Sequence, residues 1–361
     1  MKNKILEAVF VLTGIALVLY FLFEIRQILV YLIISTLLTF IGKPIVSKLN
    51  NINIKKYHIP HSVSATLTIV LFLGVITMLG LALVPLINEQ ANSLSLLRIE
   101  EIEKNVTIGM SHLNDWLGNF GFNKVDILGG SKIKDLIDFS FIPNFLNSIV
   151  GTMGDFSIGI LTISFITFFF LKDNDMIKRT LISLIPDSKT DKALSVIGSV
   201  KVSLSRYLFG LMIQISVLFI LYSVVLYIAG INNFLIIAIL GALLNLIPYV
   251  GPLIGFLLMN LLSITGNISE DFNTVIYPMI TKISIGYIII QLIDNFVNQP
   301  IIFSKSANAH PLEIFLVILI AGNLFGVIGM IVAVPSYTIL RIILKEFFSQ
   351  FKIVKSLTRN L

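Results

Sequence analysis

Four polar residues follow one another at positions i, i+3, i+4 and i+7 of an otherwise apolar segment: Gln291, Asp294, Asn295 and Asn298. This spacing places them on one face of a helix. Amide groups on such a face can hydrogen-bond a polar solute, and a carboxylate can carry a proton or bind a cation. A carboxylate inside a bilayer costs about 2.5–3.5 kcal/mol on insertion scales, so it is a functional candidate by default. We interpret the face as part of a substrate path with Asp294 as an ion-coupling residue; the alternative is a helix cap or an interfacial carboxylate.

A second group of candidates surrounds a break in the apolar run 234–265. A straight helix of that length would extend about 48 Å, against a hydrocarbon core of roughly 30 Å. Two prolines and two glycines fall within the eight residues 248–255. In transporters, such breaks place free backbone groups around a substrate. We therefore predict that this break binds substrate through the following residues: Asn245, Pro248, Tyr249, Gly251 and Pro252.

A similar break is predicted in the range 311–338, where Gly322 and Gly326 flank Asn323. These three are further substrate-binding candidates, although the glycine spacing is also typical of close helix packing alone. Glu313 lies near the start of this range. It is a second ion-coupling candidate, but its position is more typical of a carboxylate that stabilises a helix N-terminus.

The elements that must position these residues belong to a membrane protein. The chain has 361 residues, of which 56% are hydrophobic and 13% charged, and its mean hydropathy is +0.94. This composition predicts an all-α, polytopic helical membrane protein. The net charge of +6 fits basic cytoplasmic loops better than nucleic-acid binding. The absence of cysteine excludes disulfides and thiolate sites. No catalytic, phosphate-binding or metal-ligand motif is found, so we predict a non-enzyme without cofactor or metal.

Hydropathy and charge divide the chain into six regions. They are spans one to three (1–87, with a basic loop at 43–61), an external amphipathic helical region (88–147), span four (148–171), a cytoplasmic amphipathic helix (172–206), a transport core (207–340) and a basic cytoplasmic tail (341–361). The bias of lysine and arginine predicts that both termini are cytoplasmic. About six full spans result if 234–265 and 311–338 are re-entrant helical hairpins that enter from opposite faces. The second hairpin has an alternative, since about 28 residues can also span once.

Several motifs resemble the autoinducer-2 exporter family of PerM-like permeases. The most specific is Asn245-Leu-Ile-Pro-Tyr-Val-Gly-Pro252, and four weaker motifs accompany it in order: Tyr207-Leu-Phe-Gly210, Asp294-Asn295…Pro300, His310-Pro311-Leu312 and Gly322-Asn-Leu-Phe-Gly326-Val-Ile-Gly329. The resemblance implies a homopentamer in a bacterial cytoplasmic membrane, an elevator-like mechanism and export of small molecules such as autoinducer-2. Some members resemble sodium/proton antiporters. Two departures affect the expected substrate: Leu211 replaces a frequent glutamine, and Asp294 replaces a frequent glutamate.

These observations predict a secondary transporter that exports a small polar molecule of the autoinducer-2 kind. One alternative keeps the fold but makes the protein a cation/proton antiporter with Asp294 as the proton carrier. The other is a membrane scaffold that transports nothing and uses 88–147 for contacts. The expected partners are the lipid bilayer, a small-molecule or ion substrate and further copies of the chain, with no nucleic acid.

Overall fold

The computed structural model describes residues 10–95, 158–299 and 310–358, apart from positions 11, 15, 19, 22, 52, 55, 56, 174, 268 and 269. The predicted external region 88–147 therefore lies almost wholly outside the described residues, as does the start of predicted span four. Residues 10–24 are helical wherever they are described. The first elements with defined bounds are α1 (Arg26–Asn50), β1 (Asn53–Ile54), β2 (Tyr57–His58), α2 (His61–Ser95), α3 (Ile158–Lys172) and α4 (Met176–Ser183). The two short strands pair antiparallel.

The second half of the chain is also helical. A 3₁₀ turn at Asp187–Lys189 leads into the long helix α5, and the elements that follow are α5 (Thr190–Ile228), α6 (Phe234–Leu244), α7 (Val250–Thr265), α8 (Tyr277–Ile293), α9 (Pro311–Phe348) and α10 (Lys352–Leu357). Helix α8 is extended at both ends by π-helical turns, Phe272–Ile276 and Asp294–Asn298. Helix α9 begins with Pro311 at its first position, where the missing N–H is not needed.

Five helical segments of the described chain are long and apolar enough to cross a membrane: Arg26–Asn50, His61–Ala82, Asp187–Ile228, Phe272–Asn298 and Pro311–Phe348. In each of them only 17–28% of the apolar window is buried inside the protein. The remaining apolar surface needs an apolar solvent, which the hydrocarbon of a bilayer provides. The protein is thus an all-α, polytopic membrane protein, as the composition predicts.

Helix α5 lies at the centre of the packing. Its C-terminal half contributes Leu218, Tyr222 and Leu226 to one apolar core, which α6, α7 and α8 complete. Its N-terminal half contributes Leu204 and Leu208 to a second core with residues of α1 and α9. Because both cores share α5, this helix relates the two predicted hairpins to each other.

The chain reverses direction between α6 and α7. A Cβ built on Gly251 would lie 1.9 Å from the carbonyl oxygen of Leu244, and one built on Gly255 would lie 3.7 Å from that of Gly241. Residues 14 apart along a straight helix would be about 21 Å apart. The two helices therefore lie side by side, and only a glycine fits at position 251. We call α6 and α7 hairpin 1.

The chain also reverses within α9, at Gly326, which has φ 65° and ψ −152°. This conformation is open essentially to glycine alone. A Cβ built on Gly329 would lie 2.2 Å from the carbonyl oxygen of Ala321, and one on Gly322 would meet the side chain of Met330. The residues on either side of Gly326 therefore form two adjacent arms, 311–325 and 327–348, which we call hairpin 2.

Several helices extend past the boundaries predicted from sequence. Helix α1 continues to Asn50, so Lys43 and Lys48 lie on a helix and not in a basic loop. Pro44 lies inside α1, where a proline removes one backbone hydrogen bond without having to end the helix. Helix α5 runs without interruption from Thr190 across the predicted boundary at 206, and α9 continues to Phe348. The predicted boundaries were placed where charged residues begin. A helix can continue through charged residues as long as its backbone hydrogen bonds continue.

Candidate functional site

Two tyrosines and two amides meet where hairpin 1 packs against α5 and α8. This amide–tyrosine cluster consists of Tyr222, Asn245, Tyr287 and Gln291. The Gln291 Nε2 group donates to the hydroxyl of Tyr222 at 2.7 Å, to the hydroxyl of Tyr287 at 3.2 Å and to Asn245 Oδ1 at 3.3 Å. Asn245 Nδ2 in turn donates to the Tyr222 hydroxyl at 3.3 Å. One residue of hairpin 1 is thereby joined by hydrogen bonds to both neighbouring long helices.

The rings of Tyr222 and Tyr287 hold this cluster in place. They stack with centroids 5.1 Å apart and an interplanar angle of 4°. The Tyr287 hydroxyl donates to the carbonyl oxygen of Pro252 at 2.6 Å, at the start of α7. The buried Gln291 Oε1 atom has no hydrogen-bond partner. This amide oxygen therefore keeps its capacity to accept a hydrogen bond.

A buried carboxylate lies about one helical turn further along α8. Asp294 is fully buried, at 0% exposure. Its Oδ2 atom accepts from Gln214 Nε2 and from Gln299 Nε2, both at 2.9 Å, and its Oδ1 atom accepts from Asn298 Nδ2 at 3.3 Å. We call these four residues the carboxylate cluster. The π-helical turn Asp294–Asn298 brings residue i+5 beside residue i, which places Gln299 against Asp294.

The partners of Asp294 are amides, which carry no charge. Asp294 takes part in no ion pair among the described residues. A buried carboxylate with neutral partners is electrostatically unfavourable unless it binds a proton or a cation. Its stabilisation among the described residues comes from three amide hydrogen bonds and from no opposite charge.

The tip of hairpin 1 has a strained backbone. Tyr249 has φ 65° and ψ −49° and is the non-glycine residue with positive φ among the described residues. The N–H of Val250 donates to the carbonyl oxygen of Pro248 at 2.7 Å, so the tip is a tight γ-turn of the rare kind. The half-exposed Tyr249 ring contacts the ring of Phe315 in hairpin 2, with centroids 6.3 Å apart.

Hairpin 2 carries a separate polar contact near its open end. The hydroxyl of Tyr337 donates to Glu313 Oε2 at 2.8 Å and joins the two arms. The guanidinium of Arg341 lies 5.8 Å from the centroid of the Tyr337 ring. Glu313 also lies in the first turn of α9, where a carboxylate favours the helix N-terminus. Asn323 and Gly326 are exposed at the other end of the hairpin.

The structure brings together part of the predicted site. Asn245, Gln291 and the Pro252 carbonyl lie in the amide–tyrosine cluster, and Asp294 and Asn298 lie in the carboxylate cluster. The remaining predicted residues lie elsewhere: Pro248, Tyr249 and Gly251 at the tip of hairpin 1, Gly322, Asn323 and Gly326 in hairpin 2, Glu313 against Tyr337, and Asn295 on an exposed surface where it accepts from Gln299.

Sequence reasoning missed five hydrogen-bond partners of these residues: Gln214, Tyr222, Tyr287, Gln299 and Tyr337. Tyr287 precedes Gln291 by four residues and Asp294 by seven, so the polar stripe of α8 begins one turn earlier than the amides indicate. Helical spacing would have found it if tyrosine had been counted as a polar residue. No comparable local signal points to Tyr222, which is 69 residues from Gln291.

Comparison with known proteins identifies a family and several relatives. The family model described as 'AI-2E family transporter' matches residues 9–349 of the chain. Among relatives, the candidate transport protein YueF of Bacillus subtilis is 27% identical over 355 residues, which cover 93% of this chain and 89% of YueF. A second candidate transport protein of that organism, YrrI, is 26% identical over 331 residues, which cover 90% of this chain and 87% of YrrI. The candidate permease PerM of Escherichia coli is 38% identical over 58 residues, or 16% of each chain. The match to the family runs through both hairpins and both polar clusters, and the chain belongs to the AI-2E transporter family.

Proposed function

We propose that this protein is a secondary transporter that exports a small polar molecule of the autoinducer-2 kind, and that the molecule binds at the amide–tyrosine cluster. The observation that carries the proposal is the buried cluster itself, which joins Asn245 of hairpin 1 to Tyr222 of α5 and Gln291 of α8. Buried hydrogen-bonding groups in a membrane-spanning region are unfavourable and are typical of substrate paths. A polyhydroxylated or amide-bearing solute can replace the bonds that these groups make to one another.

The lengths of the helices support a re-entrant hairpin 1. Helix α6 has 11 residues and α7 has 16, which correspond to about 16 and 24 Å. Both are shorter than a hydrocarbon core of roughly 30 Å. A hairpin of this kind enters and leaves on one face, so the acidic loop at 270–271 stays on the same side as 230–233. With a re-entrant hairpin 2, both termini and residues 172–206 are cytoplasmic, and 88–147 is external.

The contact between the hairpins supports an elevator-like mechanism. The tip of hairpin 1 meets hairpin 2 through apolar side chains, with Tyr249 against Phe315. Ile247 and Ile318 belong to the same apolar core. Movement of the block that carries the amide–tyrosine cluster past this contact would expose the cluster alternately to the two sides. The family resemblance implies that the protein is a homopentamer in a bacterial cytoplasmic membrane. We propose that the movement takes place within each copy of this assembly.

Transport assays in proteoliposomes test the proposed binding site. Gln291→Leu removes the central donor of the cluster, and we expect uptake of labelled autoinducer-2 into vesicles to fall at least tenfold. Asn295→Leu is the matched control: it makes the same kind of change one turn away, in the π-helical turn after α8, at an exposed position, and should leave uptake nearly unchanged. Equal effects of the two substitutions would refute the cluster as the substrate site. Absence of uptake even by the unsubstituted protein, combined with a loss of its cellular function on deletion of 88–147, would favour the scaffold.

A second candidate function is cation/proton antiport, which the carboxylate cluster favours. Asp294 is buried among amides without an ion-pair partner in the described chain, so it is suited to carry a proton in one direction and a cation in the other. Asp294→Asn keeps the shape of the side chain but loses the charge. It should abolish sodium/proton exchange measured with a pH-sensitive dye, and it should weaken but retain export of a neutral solute. Exchange that survives in this variant would remove Asp294 from the coupling role.

The proposed topology can be tested because the chain contains no cysteine. Single cysteines at positions 190 and 270 should react differently with a membrane-impermeant reagent in intact cells. We expect labelling at 270 and protection at 190, because only the former is external. Labelling at 190 and protection at 270 would contradict the arrangement with two re-entrant hairpins. Cross-linking of the purified protein at increasing reagent concentration should stop at a fivefold mass if the pentamer is correct.

A further inference from the structure

A groove with a basic rim lies between α1 and α5, and its lining contains no residue of either polar cluster. It encloses about 550 Å³ and is lined by residues 40–47 of α1 and 201–212 of α5. Three of the lining residues are cationic: Lys43, Lys201 and Arg206. Two hydroxyl groups, those of Ser47 and Ser205, line it as well. We call this feature the basic groove.

The charge of the basic groove is not balanced by its own lining. No residue that lines it is acidic, and none of its three cations takes part in an ion pair between described residues. A neighbouring cavity of about 410 Å³ shares Lys43 and Lys201 with the groove and contains one carboxylate, Asp175. The region as a whole therefore keeps an excess of positive charge, which favours an anionic ligand.

Part of the wall of the basic groove is apolar and open. Phe209 is 67% exposed and Met212 is 49% exposed, and Phe40 lies on the facing side. A soluble anion such as phosphate would gain nothing from this wall. A ligand with a charged end and a hydrocarbon chain would bury apolar surface there, so the lining combines the two requirements of a phospholipid.

The position of the cations along the helices agrees with a lipid headgroup. Lys43 is 17 residues from Arg26 at the start of α1, which is about 26 Å. Arg206 is 22 residues from Ile228 at the end of α5, or about 33 Å. Both distances are close to the thickness of a hydrocarbon core, roughly 30 Å. The cations thus lie at one membrane interface, where basic pockets between helices bind anionic headgroups.

We propose that the basic groove binds one anionic phospholipid, with its phosphodiester at Lys43, Lys201 and Arg206 and an acyl chain along Phe209 and Met212. The site is distinct from the proposed transport path, because its residues belong to neither polar cluster. It would place a lipid between α1, which lies outside the transport core predicted from sequence, and α5, which both apolar cores share.

Fluorescence quenching by brominated lipids tests the proposal on the full-length protein. A fluorophore is attached to a single cysteine introduced at the rim of the groove, Met212→Cys, and a second variant carries it at Ile220→Cys, which is 59% exposed on the same helix. Brominated phosphatidylglycerol should quench the label at 212 more strongly than the same fraction of brominated phosphatidylcholine. The label at 220 should not distinguish the two lipids. Equal quenching by both lipids at 212 would overturn the proposal.

Charge substitutions in the Met212→Cys background separate a specific site from general attraction. Lys201→Gln should weaken the apparent affinity for phosphatidylglycerol about fivefold, and Lys201→Gln with Arg206→Gln about 25-fold. Lys189→Gln with Lys192→Gln removes the same charge near the start of α5 and should have no effect, whereas an equal loss in this control pair would show a diffuse surface effect. Glycerol 1-phosphate should not displace the lipid at millimolar concentration; displacement would show a site for soluble anions instead. If the double variant aggregates, the fivefold loss in the single variant decides the outcome.

Discussion

The γ-turn at the tip of hairpin 1 predicts that glycine is preferred over alanine at position 249. A non-glycine residue with the backbone angles of Tyr249, φ 65° and ψ −49°, stores strain of about 1–3 kcal/mol. Glycine adopts these angles without steric penalty. Tyr249→Gly and Tyr249→Ala both lose the ring contact with Phe315, so that loss cancels when the two variants are compared.

The expected difference follows from two opposing effects. Elsewhere in a folded chain, glycine is less stable than alanine by about 0.5–1 kcal/mol because it loses more backbone entropy. Subtracting this from the relieved strain leaves Tyr249→Gly more stable than Tyr249→Ala by about 0–2.5 kcal/mol, with a central value of about 1.2 kcal/mol. The free energy of unfolding can be measured by reversible titration with dodecyl sulfate in mixed micelles, with far-ultraviolet circular dichroism as the signal.

The same pair of substitutions at Leu257 provides the control. Leu257 is 59% exposed on the regular helix α7, where alanine should be more stable than glycine by about 1 kcal/mol. The sign of the difference between the glycine and alanine variants should therefore be opposite at the two positions. If the alanine variant at position 249 is more stable than the glycine variant, the tip is not strained in the membrane-like environment.

Three further predictions concern Gly326 of hairpin 2, Gln214 of the carboxylate cluster and Asp271 before α8. Gly326→Ala should lower the free energy of unfolding by about 1–3 kcal/mol, since the added methyl group meets open space and only backbone strain contributes; a loss below about 0.5 kcal/mol would contradict this. Gln214→Leu should cost about 1.5–3 kcal/mol in the wild type but about 0.5–1.5 kcal/mol in an Asp294→Asn background, and equal losses would show that the carboxylate is not charged when it accepts from Gln214. The backbone N–H and hydroxyl of Thr274 hold the pKa of the Asp271 carboxyl below its usual range. Asp271 therefore stabilises the start of the π-helical turn fully at pH values above the unfolded pKa of about 3.9. This stabilisation is lost as the pH falls through the lower pKa of the folded state. The protection factor at 272–276, which is the intrinsic exchange rate at a given pH divided by the observed rate, should fall over that acidic range in the wild type and not in Asp271→Asn. A constant protection factor in the wild type would count against the cap.

Local sequence signals predicted the features that depend on local backbone chemistry. The reversal at 245–252 follows from closely spaced prolines and glycines, which deprive a helix of donors and rigidity. The reversal at Gly326 follows from the same kind of signal, although its tip is a single residue. The alternation of long apolar segments also predicted the membrane-spanning class, because it needs no knowledge of which helices are neighbours.

The partners inside the polar clusters could not be predicted in this way. Asp294 pairs with Gln214 across 80 residues, and no periodicity in either helix encodes that contact. The π-helical turn also changes the local spacing, because it brings Gln299 to the carboxylate through position i+5. Asn295, which α-helical spacing places on the same face as Asp294, is exposed. Predicting a widened turn would require knowing the tertiary contacts that stabilise it.

The apolar contact between the tip of hairpin 1 and hairpin 2 has a mechanical consequence. Hydrogen bonds tie hairpin 1 to α5 and α8 through Tyr222, Gln291 and the Pro252 carbonyl, and such bonds resist displacement because they are directional. The contact of Tyr249 with Phe315 depends on dispersion and on the exclusion of water or lipid, which change little when surfaces slide by a fraction of a side chain. Sliding of the hairpin 1 tip past Phe315 therefore meets less resistance than sliding of hairpin 1 against α5 or α8. Under load, the contact between Tyr249 and Phe315 should therefore slip before the hydrogen bonds of the amide–tyrosine cluster break.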